Sequence, residues 1–169
     1  MNSLAGKRSD SDLPRRKTIS TECILVVDEN PTNVKLVSYV LELEGDHVLT
    51  ASDAEEAQEI MKYCQPNLIL MDIALPGIDG LTLTRQLKAD ARTEHIIVVA
   101  LTAFAMKGDE RKAVDAGCDG YITKPIDTRS FGHVIAEFLA GRQSRNGREN
   151  ENSSLLKRLN PPDSARRVN

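Results

Sequence analysis

Three carboxylates, a hydroxyl and an amine recur in one kind of setting along this chain: each stands at the end of a short apolar run. Asp72 closes Leu68-Ile-Leu-Met71, and Asp28-Glu29 follows Cys23-Ile-Leu-Val-Val27. Thr102 follows Ile96 to Leu101, and Lys124 follows Gly120 to Thr123. Unbroken apolar runs bounded by turn residues predict strands buried on both faces. Taken singly, each polar residue has a plain reading. Asp72 caps the turn holding Pro76, Gly77 and Gly80, and Asp28-Glu29 is a charge pair at a helix start. Thr102 is a polar strand end and Lys124 a solvated lysine. Taken together they converge, because in open α/β sheets the carboxyl ends of the strands form one edge, where ligands bind. Three carboxylates packed there cannot all stay ionised cheaply without a cation, and hard oxygen ligands suit Mg²⁺. A metal would neutralise an incoming phosphoryl group while Thr102 and Lys124 hold its oxygens. With no His, Cys or Ser beside the cluster, the natural nucleophile is a carboxylate, and Asp72 lies centrally.

The elements that must position these residues follow from periodicity. Cys23–Val27 predicts the first strand, and Pro31 opens a helix capped by Asn30 and stopped by Gly45, with Val34, Val37, Tyr39, Val40 and Leu41 at helical spacing. His47–Thr50 predicts a second strand. Ser52-Asp53-Ala54-Glu55 matches a capping box for a helix to Cys64 whose core face uses Ala57, Ile60 and Met61. After the central strand, Leu81–Lys88 predicts a short helix, Ile96–Leu101 a fourth strand, and Ala105–Ala116 a helix ended by Gly117. Gly120–Thr123 is a fifth strand, and Asp127 or Thr128 caps a last helix with Val134, Ile135, Phe138 and Leu139 inward. This alternation predicts an α/β fold: a doubly wound, five-stranded parallel sheet in the order 2-1-3-4-5.

Composition narrows the class. A chain of 169 residues predicts one domain with tails. Residues 1–20 carry five basic against two acidic side chains and residues 141–169 seven against three, while the stretch between them holds ten against twenty. An acidic body of that balance excludes nucleic-acid binding by the folded domain. The polar, aperiodic ends predict disordered tails over 1–20 and 142–169 around a folded body at 21–141. Leu155, Leu156 and Leu159 make at most a marginal helix. No apolar stretch is long enough for a membrane span, and no apolar region follows the basic N-terminus as a secretory signal requires. Cys23, Cys64 and Cys118 are odd in number and widely spaced, which argues against a disulfide framework or zinc site and predicts a cytoplasmic protein. His47, His95 and His133 form no metal-spaced cluster.

Four stretches then carry a family resemblance: Ile24-Leu-Val-Val-Asp-Glu-Asn-Pro-Thr-Asn33, Leu70-Met-Asp-Ile-Ala-Leu-Pro-Gly-Ile-Asp-Gly80, Ala100-Leu-Thr-Ala-Phe104 and Gly117-Cys-Asp-Gly-Tyr-Ile-Thr-Lys-Pro125. Together they make Ile24 to about Phe138 resemble the receiver domain of bacterial response regulators, the family of the chemotaxis regulator, with its flavodoxin-like fold. The resemblance implies that Asp72 takes a phosphoryl group from a phosphohistidine on a sensor histidine kinase or a histidine phosphotransfer protein. It implies Mg²⁺ held by Asp28, Glu29, Asp72 and the Ala74 carbonyl, a phosphoryl group bound by Thr102 and Lys124, and Tyr121 as an aromatic switch. It also implies a cis Lys124-Pro125 peptide. Where this chain has Glu29 the family usually has Asp, so that ligand is one methylene longer here. Nothing after Gly141 resembles an output domain, so the expectation is a stand-alone receiver that signals by binding a downstream protein. Such a protein is a phosphoacceptor that assists its own phosphorylation and dephosphorylation, and is not otherwise an enzyme.

Three other readings compete. A metal-dependent aspartyl phosphatase of the haloacid dehalogenase type needs a second acid two residues after its nucleophile, and position 74 is Ala. A flavodoxin-like nucleotide binder would hardly present Asp-Glu-Asn to a phosphate without a metal. A degenerate receiver acting only as a docking module is disfavoured by the presence of Asp72, Thr102 and Lys124.

Overall fold

The computed structural model describes residues 21–103 and 109–141. The expectations for the tails, and for the start of the helix after the fourth strand, lie outside the described residues. Five strands alternate with helices. In chain order they are β1 (Cys23–Val27), α1 (Pro31–Glu44), β2 (His47–Ala51), α2 (Ala54–Tyr63), β3 (Leu68–Asp72), α3 (Gly80–Ala89), β4 (Ile97–Thr102), α4 (Asp109–Asp115) and β5 (Gly120–Thr123). A last helix, α5, covers 128–141. The sheet is wholly parallel in the order β2-β1-β3-β4-β5, as the alternation predicts.

Both faces of the sheet are covered, which is why the strands read as continuous apolar runs. Alternation along β1 divides it between two cores: Leu25 and Val27 join Ile69, Met71, Val98 and the α2–α3 residues Ala57, Leu83 and Leu87. Ile24 and Val26 face the other way, with Leu68, Leu70, Val99, Leu101 and the helix residues Val37, Leu41, Phe131 and Ile135. Burying each of the larger side chains stabilises the fold by about 1.5–3 kcal/mol.

Helix ends follow the predicted chemistry with adjustments. Asn30 caps α1 by accepting from the Thr32 amide, and Gly45 stops it at φ 95°. On α1 only Val37 and Leu41 are fully buried, and Tyr39 is exposed. The capping box of α2 is shifted by one residue: Asp53, not Ser52, is the cap and accepts from the Glu56 amide. Glu56, not Glu55, reaches back to the Ser52 amide and hydroxyl at 2.7 and 2.8 Å. The shift turns Ala54 and Ala57 into the sheet and leaves Ile60 and Met61 half-buried. The last helix starts at 128 behind Asp127, and Phe131 joins Ile135 as its buried anchor while Val134, Phe138 and Leu139 pack at the margin.

Candidate functional site

Strand register gathers the polar residues at one edge. Val27 pairs with Met71, so the next residues, Asp28 and Asp72, emerge side by side at the carboxyl ends of β1 and β3. Thr102 pairs with Thr123 at the ends of β4 and β5, and the following Lys124 amide donates to the Thr102 carbonyl at 2.7 Å. The Lys124-Pro125 peptide is cis. Asp28, Asp72 and Thr102 are 2%, 6% and 7% exposed, so this edge is largely closed to solvent.

Lys124 organises it. Its ammonium donates to Asp28 Oδ2 at 2.6 Å and to Asp72 Oδ2 at 2.8 Å. Burial works against the charged amine, but the bonds to the two carboxylates outweigh it and hold the Lys124 pKa above its ordinary value. The remaining carboxylate oxygens are also held. Asp72 Oδ1 accepts from the Ala74 amide at 3.0 Å, and Asp28 Oδ1 from the Asn30 amide at 2.8 Å. Asn33, in the first turn of α1, donates to Asp28 Oδ2 at 3.1 Å. Glycine shapes the floor beneath. A Cβ on Gly80 would lie 2.0 Å from the Asp72 carbonyl oxygen, so only glycine lets the start of α3 pass this close to the β3 end.

One expectation is modified. Three carboxylates were expected to pack together; the structure packs two around Lys124 and leaves Glu29 exposed. Among the described residues no three acidic, histidine or cysteine side chains form a ready-made cation cage. The reason is local: β1 ends at Val27, so Asp28 follows the strand inward and Glu29 begins the turn towards α1. Tyr121 is 39% exposed, and its hydroxyl donates to the Glu110 carboxylate on α4, which raises the phenol's pKa. Sequence reasoning passed over Asn33 as a site residue; its position five residues after Asp28, just inside the helix, was the available signal.

The arrangement suits a divalent cation. Two buried carboxylates face one ammonium, so this trio keeps a formal charge of −1, with Glu29 at the rim adding another. Hard oxygens with surplus negative charge are the donors Mg²⁺ takes, and it binds through one or two carboxylates while keeping several waters.

Comparison with known proteins decides the family. Residues 24–136 match the model of the response regulator receiver domain. The chain belongs to the response regulator receiver family. Among its relatives is the polar-differentiation response regulator DivK of Brucella ovis, 40% identical over 119 residues that cover 70% of this chain and 97% of DivK. A CheY-like receiver domain protein from Methanospirillum hungatei superposes with a TM-score of 0.69 at 28% identity, covering 75% of this chain and 99% of its own. The receiver domain of a sensor histidine kinase from Pseudomonas aeruginosa, solved with a magnesium ion coordinated in its active site cleft, gives 0.66 at 28% identity over 72% and 99% of the two chains. The receiver is thus a two-component signalling protein. Among the described residues no helix is long and apolar enough to cross a membrane.

Proposed function

We propose that Asp72 is the phosphoacceptor of this receiver. The observation that carries the reading is the Lys124 ammonium shared between Asp28 and Asp72 at the point where β1 and β3 emerge together. Asp72 Oδ1 is aimed by the Ala74 amide, which fixes the carboxylate for in-line attack on a phosphohistidine. The donor is a sensor histidine kinase or a histidine phosphotransfer protein, and the setting is cytoplasmic. Asp28, Asp72, Glu29 and the Ala74 carbonyl are the residues to hold Mg²⁺, which when bound supplies charge neutralisation for the transferring group. Lys124 is close enough to Asp72 to pair with a phosphoryl oxygen once Asp72 has become an acyl phosphate, and Thr102 supplies a hydroxyl donor at the neighbouring strand end. An aspartyl phosphatase is not favoured, since position 74 meets Asp72 through a backbone amide and has no acidic side chain.

Phosphorylation adds about −1.5 to −2 charges at the β3 end. The Thr102 hydroxyl is drawn to it, and Tyr121 turns inward, giving up its bond to Glu110 and freeing α4. The face formed by α4, β5 and α5 then changes its affinity for a downstream protein. Residues 21–141 suffice for this cycle.

The test is phosphorylation by acetyl phosphate in Mg²⁺, read by intact mass. The parent gains one phosphoryl group and Asp72→Asn gains none. Stoichiometric labelling of Asp72→Asn moves the site elsewhere. Thr102→Ala should be labelled yet lose the phosphate dependence of partner binding; unchanged dependence breaks the proposed coupling.

A further inference from the structure

Free cysteines in protein interiors mostly behave as small apolar side chains. Cys118 fits that description: it packs against the clusters beneath α3 and α4, beside Thr84, and burial pushes its thiol up. Cys23 and Cys64 are different. They are separated by 41 positions, yet their sulfurs lie 3.6 Å apart at the amino-terminal edge of the sheet, the end opposite Asp72. Both are half-buried, and the exposed His47, paired with Cys23 across β1 and β2, brings Nδ1 to 3.9 Å from the Cys23 sulfur.

The approach is built into the backbone. The Cys23 amide donates to Asn67 Oδ1 at 2.8 Å, and the Asn67 amide donates to the Cys23 carbonyl at 2.7 Å. That two-way clamp ties the start of β1 to a residue only three positions after Cys64. The Cys64 amide is itself held by the Ile60 carbonyl at 3.0 Å, as the end of α2. With both backbones held, the sulfurs face each other at 3.6 Å. Closing a disulfide at about 2.05 Å needs the sulfurs to approach by roughly 1.6 Å, a movement within reach of side-chain rotation.

We propose that Cys23 and Cys64 form a reversible redox pair, oxidised to an intramolecular disulfide by low-molecular-weight disulfides such as oxidised glutathione. The order of events follows from the surroundings of the two thiols. Burial, followed by the bond to Cys64, pushes Cys23 up to about 11, which makes Cys23 a poor first nucleophile, and the reaction opens on its partner. The Cys64 thiolate displaces one glutathione thiolate from the glutathione disulfide, leaving a mixed disulfide on Cys64. The Cys23 thiolate then attacks the Cys64 sulfur, forming the Cys23–Cys64 bond and releasing the second glutathione thiolate. The two protein thiols lose two electrons and two protons, and one glutathione disulfide becomes two glutathione thiols. The product is a covalent loop through β1, α1, β2 and α2, the segment that carries Asp28 and Glu29. In a reducing compartment a bond of this kind is transient and acts as a sensor.

The experiment equilibrates the full chain in glutathione buffers of falling reduced-to-oxidised ratio, counts free thiols, and maps linked peptides by mass spectrometry. The expected result is paired loss of two thiols, a peptide joining Cys23 to Cys64, a free Cys118, and full reversal by dithiothreitol. Cys23→Ser should stop at a glutathione adduct on Cys64, and Cys64→Ser should form no intramolecular disulfide. Retention of all three thiols by the folded parent in excess oxidised glutathione overturns the proposal. So does a linkage through Cys118 or between two chains.

Discussion

Replacing Lys124 with Met keeps much of the side-chain stem and removes the ammonium between Asp28 and Asp72. The two acceptor oxygens bond one nitrogen at 2.6 and 2.8 Å, so they lie at most about 5.4 Å apart. At an effective dielectric near 20, two bare charges at that separation repel by about 3 kcal/mol. Two charge-assisted hydrogen bonds, each worth about 1.5–3 kcal/mol, are lost as well. Solvent moderates both effects, because the Lys124 side chain keeps 16% of its surface exposed and water enters where the ammonium was. The net expectation is a loss of about 2–4 kcal/mol at pH 7, at or just below the range for breaking a buried ion pair. Urea unfolding followed by circular dichroism measures it, since the chain has no tryptophan. Mg²⁺ should restore more stability to Lys124→Met than it adds to the parent, because the variant leaves two buried carboxylates without their cation. A variant within about 0.5 kcal/mol of the parent, with equal responses to Mg²⁺, would refute the shared-cation account of the site.

Glu29→Asp should tighten Mg²⁺ binding measured by calorimetry and speed labelling at limiting metal, because a Glu must fold back to reach the position of the shorter side chain, at a rotamer cost of order 1 kcal/mol. Weaker binding by Glu29→Asp would mean that the backbone has adapted to Glu, and Glu29→Ala should weaken both properties. Asp79→Ala should cost about 1 kcal/mol by removing the cap of α3, which accepts from the Thr82 amide and hydroxyl. Those bonds hold the Asp79 pKa below its ordinary 3.8, so the cap's contribution is present above that value and fades as pH falls through the depressed folded one. Parent and Asp79→Ala denaturation curves should therefore converge in acid; a gap that widens there contradicts the assignment. A polypeptide of residues 21–141 should fold and be labelled by acetyl phosphate at the parent rate, and a marked loss of either would mean that a tail docks on the body.

The sequence by itself determined the architecture and the residues at its working edge. Strands buried on both faces leave unbroken apolar runs, and helix ends leave Asn30, Pro31 and Gly45, so order and topology were legible before any coordinate. The convergence of Asp28, Asp72, Thr102 and Lys124 followed from the same reasoning, because parallel strands expose all their carboxyl ends on one side. Tertiary structure decided the rest, wherever a side chain had more than one partner within reach. Its position at the end of the first strand placed Glu29 beside the other carboxylates, but the turn after Val27 leaves it at the rim. Taken singly Lys124 read as a solvated lysine; the sequence placed it at the working edge, and the β4–β5 register and the Thr102 carbonyl show it spanning two carboxylates. The capping box slid from Ser52 to Asp53 because turning Ala54 and Ala57 into the sheet outweighs a local preference between two adequate caps. Gly80 carries no chemistry of its own in sequence, yet its missing Cβ is what lets α3 approach Asp72. Cys23 and Cys64 are far apart in sequence and share no motif; the Cys23–Asn67 clamp brings them together, and pairing across that distance is a property of the packed chain alone.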